Sequence, residues 1–188
     1  MTRPTMIESR TLGEQITFVR SAEDTDGALL DMTVRYHPAT SWKGVPYHLH
    51  PHQDEHFEVL EGMLTVDLAG KRRVYNAGEA FDVPRGAEHA MRNLGAAPAQ
   101  VRWQVRPALQ TQQFFETTFG LADQGKLYHP LQFAVVAHAY ADVFRLTRLP
   151  VAARIVLSLL ARLGQALGYR AYDEHFRARP VVSAEAAR

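Results

Sequence analysis

Cysteine is absent from this chain of 188 residues. Disulfide staples and thiolate metal ligands are therefore excluded, and the composition fits any redox compartment without selecting one. A charge excess is missing as well: the formal net charge is +1, which makes no case for nucleic acid as a partner. No stretch reaches the ~18 uncharged apolar residues that a membrane-spanning helix needs. The opening residues, MTRPTMIESRTLGEQ, hold no apolar run, so a signal peptide is not expected and a cytoplasmic location is the default. Internal repeats and low-complexity tracts are lacking too. What remains is a chain with 46% hydrophobic and 22% charged residues, enough apolar material for a core. Its length suits one ordinary domain with an appendage.

Turn signals are frequent through the first part of the chain. After a polar arm at 1–11, Glu14 to Arg20 (EQITFVR) reads as a strand. Ala28 to His37 alternates, with Leu30, Met32, Val34 and Tyr36 on one face and Asp31, Thr33, Arg35 and His37 on the other. Further short strands are expected at Tyr47–His50, Glu55–Leu60, Met63–Leu68, Arg73–Asn76, Ala80–Val83, His89–Leu94 and Ala99–Val105, separated by PHQD, EG, AGK, NAG, PRGA and LGAAPA. Many short strands with Gly and Pro turns imply a mainly β sandwich or barrel.

Two clusters stand out between His48 and Asn93. In the first, His48 and His50 flank Leu49, and Glu55 and Gly62 follow after four and six residues. An H-x-H pair on a strand sends both imidazoles to one face. Glu55 lies an odd step beyond His50, so the turn-like Pro51-His52-Gln53-Asp54 has to reset the phase. The second cluster runs Gly78, Pro84, Gly86, His89, Asn93, and the fold must carry His89 to the others. Three imidazoles and a carboxylate at one point suit a divalent transition metal, whether Fe, Mn, Zn, Ni or Cu, and leave positions open for water or substrate.

These clusters resemble the two motifs of the cupin superfamily, H-x-H-x4-E-x6-G and G-x5-P-x-G-x2-H-x3-N. The family's first motif usually opens with a Gly six positions before the first His. Here the nearest candidate, Gly44, stands four before. The resemblance implies a double-stranded β-helix, a small jelly-roll barrel, with His48, His50, Glu55 and His89 as metal ligands. His52 and His56 share the histidine-rich run, but a His50/His52 pair would need an acid at 57, where Phe57 stands. Phase turns His56 outward. His37, His129, His138 and His175 have no partner spacing. Phe57 and Val59 share the phase of Glu55 and are candidates for a substrate pocket, together with Met91, Asn93, Trp103, Tyr36 and Met32.

After Pro107 the pattern turns helical. Phe114 to Asp123 begins one helical reading and His129 to Leu146 a second. Pro150 opens a third, with Val151, Ile155, Val156, Leu159, Leu160, Leu163 and Leu167 on one face and Arg154, Ser158, Arg162 and Gln165 opposite. Residues 127–188 carry eight arginines against four acids. The expected organisation is a loose arm at 1–11, a cupin barrel at 12–108, a helical extension at 109–179 and a tail at 180–188. The extension is expected to pack on the barrel or on a partner subunit of a homodimer, rather than on a membrane surface.

Such a site supports three functions. A redox-active metal gives dioxygenase chemistry, a Lewis acid gives isomerase or lyase chemistry, and a passive site gives a sensor or carrier for a small molecule. The leading expectation is a metal-dependent enzyme, with dioxygenase first; a non-catalytic ligand-binding cupin is the alternative. No general base stands out beside the ligands.

Overall fold

The computed structural model describes residues 5–38, 46–172 and 176–180. Its strands are β1 (Thr5–Ser9), β2 (Glu14–Arg20), β3 (Leu30–Tyr36), β4 (His48–Leu49), β5 (Asp54–Glu61), β6 (Met63–Leu68), β7 (Lys71–Asn76), β8 (Ala80–Val83), β9 (His89–Arg92), β10 (Ala99–Arg106), β11 (Arg145–Leu146) and β12 (Arg179–Pro180). The helices are α1 (Thr111–Asp123), α2 (Pro130–Ala139) and α3 (Val151–Ala166). The strands form two antiparallel sheets, ordered β12-β1-β2-β3-β10-β5-β8 and β11-β4-β9-β6-β7. The expected mainly β double sheet followed by helices is thus present.

Period-two alternation decides what fills the space between the sheets. On β3, Leu30, Met32, Val34 and Tyr36 are buried, and β10 adds Val101, Trp103 and Val105 from the neighbouring strand. Val59 and Phe57 come from the other side of β10, with the Phe57 ring stacked between Phe81 and Trp103. Asp31 departs from the pattern. It is buried on the outward face, where Arg102 and Gln104 hydrogen-bond its carboxylate and hold its pKa below the usual range.

Two sequence expectations need correction, and a third is narrowed. Within the arm at 1–11, the described part is not loose: Thr5–Ser9 pairs in register with β2, Ile7 and Ser9 are buried, and the Ser9 hydroxyl donates to Asp123 on α1 (2.7 Å). The apolar run from His129 to Leu146 is not one helix. It stops at Ala139, turns, and supplies β11, which pairs with β4 beside the first histidine. No Gly or Pro stands between Ala139 and Leu146 to mark the stop, so the sequence pattern alone could not place the break. The narrowed one is α3, expected against the barrel or a partner subunit. It approaches α2 closely at Gly164, where an added Cβ would stand 2.7 Å from Val135 Cγ2 and 3.1 Å from the Leu131 carbonyl. That contact uses the Ala161–Gly164 edge, so the Val151–Leu167 face does not lie on the barrel. Gly44, His175 and the tail from 181 lie outside the described residues. Among the described residues no helix is long and apolar enough to cross a membrane.

Candidate metal centre

β4 and β9 are neighbours, with His48 directly opposite His89. Their ring centroids are 4.1 Å apart, and the His50 ring lies 4.9 Å from His48 and 5.2 Å from His89. One nitrogen from each of the three rings lies within 4.8 Å of the other two, and all three residues are buried. Glu55 is not part of that three-histidine group but comes beside His50 and His89, because the chain bends at Pro51–His52 before β5 begins. Gln53, fully buried, fixes that bend by donating to the Pro107 carbonyl and to Thr111 Oγ1, both at 2.8 Å.

Each imidazole is oriented through its other nitrogen. His48 Nδ1 bonds the Pro46 carbonyl (2.8 Å), His89 Nδ1 bonds the Ala87 carbonyl (3.1 Å), and His50 Nδ1 bonds the carbonyl of Val143. A carbonyl can only accept, so each Nδ1 carries the hydrogen and each Nε2 presents a lone pair. Burial lowers the pKa of all three, to about 3 for His50, which keeps the rings neutral. This is the arrangement in which backbone partners aim histidines at a metal.

Glu55 lies behind the rings, with its two oxygens 3.2 Å from His50 Nε2 and 3.3 Å from His89 Nε2. Trp103 Nε1 donates to one oxygen (3.1 Å). Burial raises the Glu55 pKa well above the usual range, partly offset by that bond. These contacts set acceptors against acceptors, and His50 Nε2, His89 Nε2 and Glu55 Oε2 have no hydrogen-bond partner. A proton on Glu55 can bridge one contact. A divalent cation satisfies every lone pair at once, so the donor set fits a metal ion.

A cavity of about 430 Å³ opens over the histidines. Its walls are mostly apolar, with Phe114, Phe115 and Phe119 from α1, Phe133 from α2, and Phe144 just before β11. Phe144 stacks on the His48 ring at 4.3 Å and on Phe114 at 5.1 Å. The helical segment therefore roofs the site, and one of its carbonyls orients a candidate ligand.

The structure brings Tyr36, Met91 and Trp103 to the cavity wall but not Met32, Phe57, Val59 or Asn93. Met32, Phe57 and Val59 face inward at a depth already filled by core side chains, and each is fully buried. Asn93 closes a turn instead, donating to the Tyr36 and Ala97 carbonyls and accepting from the Gly95 amide. His56 is outward, paired with Asp82, and His138 reaches the cavity rim.

Sequence reasoning missed Glu14. It shares the inward phase of Ile16 and Phe18 on β2, stands opposite Tyr36, and lines the cavity. Protein atoms enclose it while the cavity leaves part of it accessible, and no hydrogen bond or ion pair with the described residues holds its carboxyl. Burial raises its pKa to about 8. Tyr36 is pushed well above its usual value by burial, then by the Glu14 and Glu55 charges. The available signal was Glu14's two-residue step from Ile16, an acid in the inward phase of a strand.

Comparison with known proteins follows from this geometry. A family model described as a cupin domain matches residues 33–105. The tetracenomycin polyketide synthase protein TcmJ of Streptomyces glaucescens is 35% identical over 65 residues, covering 35% of this chain and 44% of the relative. Germin-like protein 1-1 of Oryza sativa subsp. japonica is 40% identical over 83 residues, covering 41% and 38%. The chain thus spans less than half the length of the curated relatives it matches. A solved structure described as a predicted oxalate decarboxylase, from Thermotoga maritima, aligns with a TM-score of 0.45 at 21% identity, covering 56% of this chain and 92% of that one.

Proposed function

Because residues 33–105 are a cupin domain, we propose that the protein is a metal-dependent enzyme acting on a small, largely apolar and aromatic molecule. The observation that carries the reading is the set of unpartnered lone pairs on His50, His89 and Glu55 beneath an apolar cavity. His48, His50, His89 and Glu55 would hold one divalent transition metal. When bound, such an ion polarises a substrate oxygen, and a redox-active one also supports dioxygenase chemistry. The phenylalanine walls bind the substrate by apolar contact and ring stacking and exclude water from the histidines. TcmJ's name mentions a polyketide synthase, and a polyketide-like molecule would suit a mostly apolar cavity.

Glu14 keeps its proton near neutral pH and faces the same space. It can therefore give a proton to a substrate atom or take one back, which favours isomerase or lyase chemistry beside the dioxygenase reading. Elemental analysis of the purified protein, followed by metal titration of a chelator-treated sample, tests the proposal. The expected result is one divalent ion per chain, lost in His50→Ala and His89→Ala. A wild-type protein that neither carries nor takes up metal refutes it. A metal-loaded protein that is stabilised by aromatic acids or phenols without turning any over is a binding cupin instead.

A further inference from the structure

α3 presents a second surface that the candidate centre does not use. Val151, Ile155, Val156, Leu159, Leu163 and Leu167 are each 51–71% exposed. At 3.6 residues per turn these positions share one stripe along the helix. The sequence around it has one sign of charge. Between Asp142 and Asp173 stand five arginines and no acid. Arg145 and Arg148 meet Asp142 and Glu88, while Arg154, Arg162 and Arg170 have no acidic partner among the described residues. Arg154 instead donates to the Thr147 carbonyl.

We infer that α3 seats its exposed apolar stripe on an anionic lipid surface, with Arg162, beside Ile155 at the edge of the stripe, and the exposed Arg170 meeting the headgroups, while Arg154 stays on the cavity side. Sixteen residues are too few to span a bilayer, but an amphipathic, arginine-flanked helix of this kind lies in the interface plane. A second copy of the chain is disfavoured by the charge. Two α3 helices packed stripe to stripe would set each Arg162 against the seam, with no acid on either helix to meet it. Anionic headgroups supply the missing charge. The edge of the helix bearing Leu157 and Ser158 lines the cavity, so the lipid-facing stripe and the candidate centre share one element.

Sedimentation of the full chain with phosphatidylcholine vesicles, with and without phosphatidylglycerol, tests the inference. Two exposed arginines predict roughly thirtyfold tighter partitioning onto the anionic vesicles, lost at high salt. Leu159→Asp should abolish the binding, while Arg162→Gln with Arg170→Gln should remove that roughly thirtyfold preference and leave the fold and metal content unchanged. Wild-type protein that stays in the supernatant with anionic vesicles overturns the inference. So does a dimer in light scattering that Leu159→Asp dissociates without any vesicle binding, because the stripe then belongs to a second copy. Should Leu159→Asp misfold, the arginine variant and the salt dependence decide alone. Metal content is read on the same samples, so failure here is distinct from failure of the proposed centre.

Discussion

Replacing Glu14 with glutamine should change how stability depends on pH, in a direction that burial dictates. The folded protein holds the Glu14 proton up to about pH 8, whereas the ordinary value is 4.5. Below 4.5 both states are protonated and the stabilisation relative to the ionised group is fully present. As pH rises through the window from 4.5 to 8, the unfolded chain releases a proton that the folded chain retains, so stability falls. At about 1.4 kcal/mol per pKa unit, the shift sets a ceiling of about 5 kcal/mol. The carboxyl faces a cavity that water can enter, so roughly half of that, about 2–3 kcal/mol, is the working expectation. Glutamine keeps the shape and cannot ionise. Urea denaturation of wild type and Glu14→Gln at a series of pH values from 4.5 to 8.5 measures the difference. The variant should match wild type at the acid end and exceed it by that amount at the alkaline end. Chelator-treated and metal-loaded samples should give the same difference curve, because titration of the histidine cluster cancels between the two proteins. Parallel curves across the whole range would refute the argument that Glu14 is held protonated inside the barrel.

Two further changes probe the frame of the site. Gly62→Ala should cost about 3 kcal/mol, because φ is +72° there and a Cβ would stand 2.6 Å from the Pro98 carbonyl; Gly78→Ala, with a positive φ but open space, should cost about 1 kcal/mol in the same urea experiment. Trp103→Phe removes the donor to Glu55 while keeping a ring in the wall, and metal affinity in a chelator-competition titration should fall about tenfold with the fold intact.

The barrel was legible because its signals are local. Alternation from Leu30 to Tyr36 and the glycine and proline corners each follow from one residue's geometry, and His48, Leu49 and His50 fix which way two rings face. The convergence of His89 on that pair required the fold, and only the resemblance of the second cluster to the cupin motif pointed there. Less was legible where contacts between distant segments decide. Thr5–Ser9 looks polar, and it becomes a strand through pairing with β2 and a hydroxyl bond to α1. The phenylalanines of the roof are scattered from 114 to 144, and no periodicity says that they meet over the histidines. Glu14 was hidden because an acid at the start of a strand ordinarily reads as solvent-facing. The apolar face of α3 was read correctly as a face, but what lies against it is a matter of tertiary structure.

The bond from His50 to the Val143 carbonyl ties one end of the polypeptide to the other in time as well as in space. During synthesis the strands through β10 emerge first and can begin to pair. One imidazole nevertheless lacks its orienting partner until residues 143–146 have left the ribosome and β11 has docked beside β4. A nascent barrel released early would have its strands in place and a misaimed histidine.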